Sequence, residues 1–331
     1  MKKTGNKCNT NIVLRWNLYD AKDKEVIIVV SCCRNLNTDL AVEHFVDNIL
    51  QIEEIEKKEE AINNITAAER NMKDYTKVPT LTHVDNRDFR YREEKKREGL
   101  RKQIFEELRD RTRLENDDEI KIENGGAKPL TELKREKKAF YLIGPPAAGK
   151  STIANGVADL AGAYILDSDY AKRKLPEYSN QIGAASLVHA ESDALVFSYD
   201  RYNLLEFCVG EGYNIVIPKI GHNRESVIKF AKRLKLLGYS IYLISIELDR
   251  VKATQRAYNR YIRSGRYVPL SLVFDYYANE PTLNYFKIRQ LDSEKFDGFA
   301  QISTDVPVGC KAKIIENVGV EEIQELLGGE V

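Results

Sequence analysis

Eight consecutive residues constrain the fold of this chain more than any others: Gly144, Pro145, Pro146, Ala147, Ala148, Gly149, Lys150 and Ser151. They complete the pattern GxxxxGK followed by Ser or Thr. A strand-length apolar run, residues 139–143, precedes them, and a helical run, residues 149–161, follows. A tight turn between a buried strand and a helix satisfies that order, and such a turn has a chemical consequence. Its backbone N–H groups, with those of the helix N-terminus, converge on phosphate oxygens. Lys150 adds positive charge at the β- and γ-phosphates, the Ser151 hydroxyl can ligate Mg2+, and Thr152 stands next to it in the same cradle. The expected ligands are ATP or GTP with Mg2+.

The chain around this loop is consistent with it. Strand-length runs at residues 163–166, 214–217, 240–246 and 299–303 alternate with helical stretches at 184–209, 224–237 and, in pieces, 249–290. Such alternation predicts an α/β fold: a P-loop domain over residues 131–331, with a five-stranded parallel sheet and helices on both faces. Residues 1–130 differ in character. Runs at 12–19 and 25–31 predict a β-hairpin. Val42, Phe45, Ile49, Ile52, Ile55, Ile62, Ile65 and Met72 recur at helical spacing. They predict a helix over most of 39–74, on the order of 50 Å long at ~1.5 Å per residue. A second charged helix is expected over 88–115, with Leu100, Ile104 and Leu108 on one face, and residues 123–129 read as a flexible linker. Residues 1–130 are thus expected to form a mainly helical accessory or inhibitory region.

Composition removes several classes of function. The 51 Lys and Arg balance 51 Asp and Glu, so the chain lacks the cationic surplus of a protein built to grip nucleic-acid backbone. Its apolar runs are far shorter than the roughly 20 residues that span a bilayer, and residues 1–10 have no signal-peptide core. No membrane partner and a cytoplasmic location are expected. The five cysteines are odd in number and irregularly spaced, as befits reduced thiols.

Two further segments carry chemistry. Asp167-Ser168-Asp169 ends the second strand run, where carboxylates of a parallel sheet meet the ligand crevice. Asp169 is the expected base for an acceptor hydroxyl, and Asp167 the expected Mg2+ support; the alternative for either one is a helix cap. Residues 249–266 are rich in arginine, with Arg256, Arg260 and Arg263 at helical spacing and Arg266 after Gly265. This segment follows the fourth strand, where a lid arginine can neutralise a transferred phosphoryl group. Arg256 and Arg266 are the expected pair, with Arg260 in reserve. The guanine-reading NKxD pattern is absent, and the layout favours a small-molecule kinase over a motor or GTPase.

Taken in order, GPPAAGKS, LDSDYAKRKLPEY (166–178), VHAESDAL (188–195), GYNIVIP (212–218) and the pair TQRAYNR and GRYVP (254–269) resemble the zeta toxin family, kinases of bacterial toxin–antitoxin systems. The resemblance covers about residues 137–304. It implies transfer of the γ-phosphoryl group of ATP or GTP to a sugar hydroxyl of UDP-N-acetylglucosamine. It also implies Lys150, Asp169, Arg256 and Arg266 as catalytic residues, and Glu191 and His189 on the substrate side. The family pattern has Glu-Gly-Thr after the third strand; here Pro218-Lys219-Ile220 stands instead. Lys219 becomes a candidate for the acceptor's diphosphate, and a dinucleotide such as NAD competes with a nucleotide-sugar as acceptor. The family's antitoxins imply an inhibitor in trans or, here, in cis within residues 1–130. The rivals are a polynucleotide 5′-hydroxyl kinase, using Tyr258, Tyr261 and Tyr267 as stacking platforms, and a nucleotide-switched interaction protein.

Overall fold

The structure, a computed structural model, describes residues 33–75, 79–179, 184–307 and 309–328; the hairpin expected over 12–31 lies outside the described residues. The first helical layer is α1 (Asp39–Phe45), α2 (Ile55–Tyr75) and α3 (Glu94–Asp110). The single helix expected over 39–74 is broken. Residues Val46–Leu50 widen into a π-helical turn, and Gln51 stops it with a left-handed φ of 57°. The helix expected over 88–115 is shorter at both ends, since a separate 3-10 turn occupies Phe89–Tyr91.

The sheet forms where the apolar runs are: β1 (Lys138–Ile143), β2 (Tyr164–Ile165), β3 (Ile215–Pro218), β4 (Ser240–Glu247) and β5 (Gly298–Ser303). These pair in parallel in the order β2-β3-β1-β4-β5. A sixth strand, β6 (Lys313–Val318), adds antiparallel to β5 and corrects the expected count of five. It escapes a search for apolar runs because it is an edge strand of exposed and half-buried residues. The remaining helices are α4 (Lys150–Ala161), α5 (Ser168–Lys174), α6 (Ala184–Leu187), α7 (His189–Phe197), α8 (Leu204–Glu211), α9 (Arg224–Leu236), α10 (Arg250–Ser264), α11 (Glu280–Leu291) and α12 (Glu321–Leu327). The expected helix over 184–209 is therefore three helices.

The supposed linker at 123–129 is a packed seam. The Gly126 N–H donates to Thr112 O at 2.8 Å, the Ala127 N–H to Leu108 O at 2.9 Å, and the Ile165 N–H of β2 to Ala127 O at 2.9 Å. Gly126 is required by close approach: a Cβ there would lie 2.2 Å from Arg111 O. This seam ties α3 to the sheet edge.

Charge also ties α3 to the sheet domain. Its inner face carries Leu100, Ile104 and Leu108, and with them the buried Arg97, Arg101 and Glu107. Arg97 is 0% exposed and donates to Glu177 at 2.7 Å and to both oxygens of Glu191 at 2.8 and 2.6 Å. Arg101 donates to Glu191 at 2.7 Å, and Lys174 of α5 donates to Glu107 at 2.6 Å. Such ions survive burial only when paired and hydrogen-bonded. One contiguous apolar core runs from Leu36 to Ile323.

Candidate active site

The candidate residues gather at the C-terminal edge of the parallel sheet, where the ligand crevice of an open α/β sheet lies. Gly144 follows β1, Asp167 follows β2, Lys219 follows β3, and Thr304 follows β5. The Gly144 N–H donates to Ile220 O at 3.0 Å, and a Cβ on Gly144 would lie 2.4 Å from Ile246 O, so only glycine lets the loop leave the sheet here. Ala147 holds a left-handed φ of 62°, strain of the kind that accompanies functional loops. Thr304 supports the loop from beneath, its hydroxyl donating to Ala148 O at 2.8 Å. Lys150 Nζ donates to Gly144 O at 2.8 Å and Pro145 O at 2.7 Å. Burial pushes the Lys150 amine down to about 8; Asp167 opposes the shift, and the charges of Arg260 and Arg266 add to it.

Asp167 and Asp169 stand in different environments. Asp167 caps α5, accepting the Asp169 N–H at 2.8 Å, so the capping alternative is real for this residue. Burial and the neighbouring Asp169 push its carboxyl up to about 6. Burial acts on Asp169 in the same sense, yet the Arg266 guanidinium and Lys172 hold it well below the usual carboxylate range. Lys172 Nζ donates to Asp169 at 2.7 Å, and Arg266 donates to the other carboxylate oxygen. Asp169 and Arg266 are 97 residues apart in the chain.

Of the arginines, Arg256 donates to Thr304 O at 2.8 Å and so lies against the loop's support. Arg260 Nε is buried with no hydrogen-bond partner among the described residues. Burial and the adjacent Arg266 push its guanidinium down to about 10. A polyanionic ligand fits this cluster, because it satisfies Arg260 and relieves the repulsion between the two guanidinium groups. Arg263 is exposed, so it does not share their surroundings. Tyr258, Tyr261 and Tyr267 are buried at 8%, 8% and 4% exposure, which removes the stacking platforms of the polynucleotide reading.

Of the three residues expected to meet the acceptor, Lys219 and His189 lie near Asp193 and Glu191 does not share their surroundings. Lys219 Nζ donates to Asp193 Oδ1 at 2.8 Å and sits 3.8 Å from the Phe197 ring centre. Ser168 Oγ donates to the same oxygen at 2.7 Å. His189 is buried enough for its imidazole to be pushed down to about 4, Lys172 adding to the effect. Glu191 is corrected: it is 1% exposed, and Arg97, Arg101 and Thr80 take its two oxygens, so it is a core ion rather than a substrate contact. Sequence reasoning missed Asp193, Lys172 and Thr304. Thr304 had a signal, since it follows a parallel strand like the other site residues.

Among the described residues no group of three or more His, Cys, Asp or Glu could hold a metal by itself. The donor set instead fits Mg2+, which keeps several waters and takes one or two protein ligands beside substrate phosphates. The exposed Ser151 at the start of α4 and Asp167 are those ligands' candidates.

Fold and site together define a P-loop nucleotide-binding protein of the kinase type. Residues 124–282 match the model of the Zeta toxin family. No curated protein matches the sequence. Among solved structures, the PezAT chromosomal toxin–antitoxin system of Streptococcus pneumoniae is similar at 20% identity, over 61% of this chain and 82% of that one, with a TM-score of 0.44. The AvrRxo1-ORF1:-ORF2 complex with ATP is similar at 16% identity, over 70% and 72% of the two chains, with a TM-score of 0.43. A gluconokinase from Sinorhizobium meliloti 1021 is similar at 15% identity, over 59% and 93%, with a TM-score of 0.31.

Proposed function

We propose that the protein is a phosphotransferase that moves the γ-phosphoryl group of ATP to a hydroxyl of a nucleotide-sugar or dinucleotide, as a zeta toxin-type kinase. The observation that carries the reading is the meeting of Asp169 with Arg266 beside the P-loop lysine. A protein that only binds a nucleotide needs neither.

In this reading the acceptor oxygen attacks the γ-phosphorus, the bond to the β–γ bridging oxygen breaks, and ADP leaves. Asp169 accepts the acceptor's proton. Lys150 and the loop N–H groups bind the β- and γ-phosphates, while Arg256, Arg260 and Arg266 neutralise charge on the transferred group. Ser151 and Asp167 would hold Mg2+, which supplies further neutralisation of phosphate charge. Arg266 serves Asp169 and phosphate in turn. A triphosphate that draws Arg266 away raises the proton affinity of Asp169, so the base strengthens when the donor is in place. Lys219, held by Asp193 over Phe197, offers a cation to an anionic acceptor such as a diphosphate.

The test is incubation of the protein with Mg2+, labelled ATP and a panel of UDP-sugars and dinucleotides, read by mass spectrometry, with Lys150→Ala as control. A phosphorylated acceptor formed by the wild type and not by the variant supports the reading. Equal turnover by Lys150→Ala would refute it.

A further inference from the structure

The phosphate-side arginines alternate along the chain with residues bound from the opposite side. Gln255 precedes Arg256, Tyr261 follows Arg260, and Tyr267 follows Arg266. Each of the three is held by the first helical layer. Gln255 Nε2 donates to Ile49 O at 3.4 Å and Leu50 O at 3.3 Å, carbonyls at the end of the π-helical turn. The Tyr261 hydroxyl donates to Asn64 O of α2 at 3.4 Å. The Tyr267 hydroxyl donates to Glu69 Oε1 of α2 at 2.6 Å. The rings of Tyr261 and Tyr267 meet edge-on, 4.9 Å between centres. Further along, Arg34 binds both oxygens of Asp275 at 2.9 Å, with its guanidinium near the Phe45 and Phe274 rings.

We infer that residues 33–75 are a backing layer for the phosphate-binding arginines, and that the Glu69–Tyr267 hydrogen bond is the positioning contact that holds Arg266 at the site, within reach of both Asp169 and the transferred phosphate. The inference rests on the phosphotransferase reading. Its physical basis is the cost of the contact. Glu69 is half-buried; even partial burial of a carboxylate against one hydroxyl is unfavourable compared with apolar packing, and it raises the Glu69 carboxyl above its usual range. Packing of Tyr267 alone needs no such group. What the carboxylate adds is direction. It fixes Tyr267, and the neighbouring residue is the arginine that meets the base. A displacement of about 1 Å in a group that aligns a reaction can cost ~10²-fold in rate. The layer thus supports the transfer machinery from behind.

The experiment compares the full chain with Glu69→Ala, Glu69→Gln and Tyr267→Phe, the last keeping the ring and removing only the hydroxyl. Release of γ-phosphate from Mg·ATP is measured with and without the acceptor panel, alongside amide hydrogen exchange over residues 250–268. For Glu69→Ala and Tyr267→Phe we expect kcat to fall ~10-fold or more with KM for ATP within about 3-fold, and faster exchange over 250–268 with α4 unchanged. Glu69→Gln can still accept from Tyr267 and should retain most of the wild-type kcat. A loss in Tm with unchanged kcat for Glu69→Ala and Tyr267→Phe would make the contact merely structural and overturn the inference. A wild type that transfers no phosphoryl group ends the phosphotransferase reading on its own. The exchange data then decide the backing role: faster exchange in the variants upholds it, and unchanged exchange overturns it.

Discussion

Two carboxylates two positions apart in the site differ because one has cations and the other has a carboxylate for a neighbour. Arg266 and Lys172 keep Asp169 ionised, whereas Asp167 is buried beside that charge and its carboxyl is pushed up to about 6. An ionised group that can release its arginine to a phosphate suits proton acceptance, and a helix cap suits support. Asp169→Asn should cut turnover by ~10² or more while ATP affinity stays nearly intact, as steady-state kinetics and calorimetric titration would show. If Asp167→Asn is the more damaging change, the two roles are reversed. Arg260→Ala should weaken Mg·ATP binding and turnover together, because Arg260 Nε lacks a hydrogen-bond partner among the described residues. Unchanged nucleotide affinity in a titration would remove Arg260 from the phosphate site. At this scale the loop residues and Asp169 were legible in the sequence because their spacing is dictated by local backbone geometry. Asp193, which binds both Ser168 and Lys219, was not, since its partners lie 25 and 26 residues away and no local pattern announces them.

Among the elements, α3 shows why a charged helix is hard to read. Arg97 and Arg101 stand on the same face as Ile104 and Leu108, at helical spacing, yet a sequence containing many Lys and Glu gives no sign of which charges are buried. Their partners Glu177 and Glu191 are 80 to 94 residues distant. Glu191→Ala should destabilise the fold by about 3–5 kcal/mol in chemical denaturation, because it leaves two guanidinium groups buried without their shared carboxylate. A loss below about 1 kcal/mol would show that water compensates. The same network sets a pH dependence. Although burial opposes it, the pairing with Arg97 and Arg101 holds the Glu191 carboxyl down at about 2. A depressed carboxylate contributes stability that is present above its unfolded value near 4.5 and lost as pH falls toward 2. His189 acts in the same sense over a higher window. Its imidazole is pushed down to about 4, so the unfolded chain takes up a proton below about 6.5 that the folded chain refuses. Asp167, whose carboxyl is pushed up to about 6, opposes His189 over much of that window, so thermal unfolding should show the main fall in Tm below about pH 4.5. Glu191→Gln should flatten the part of that slope below pH 4.5.

For the molecule as a whole, the question is whether the first helical layers can be separated from the sheet. The alternation of strands and helices after residue 137 was legible because parallel strands buried on both faces read as apolar runs. The boundary was not, because glycines at 125 and 126 look the same in a flexible linker and in a seam that no side chain can enter. The packing argues that α3 and the sheet fold together. A chain beginning at Glu132 would lose Leu100, Ile104 and Leu108 from the core. It would also strip Glu177 and Glu191 of Arg97 and Arg101, Lys174 of Glu107, and Asp159 of Arg113. Each orphaned buried ion costs several kcal/mol, and the sum exceeds the stability of an ordinary domain. That chain should fail to give a soluble, cooperatively unfolding protein, as circular dichroism and gel filtration would show. A chain beginning at Pro79 keeps every one of those pairs; of the described elements it loses α1, the π-helical turn and α2, and with that segment Leu36, Val42, Phe45 and Ile65 from the core. It should fold and transfer phosphate more slowly than the full chain, because Gln255, Tyr261 and Tyr267 no longer have their partners behind the arginines. An inhibitor in cis makes the opposite demand: removing it must raise turnover and toxicity on expression. Higher activity from the chain beginning at Pro79 would therefore make residues 1–78 a restraint on the kinase, and lower activity with intact ATP binding would make them part of its working surface.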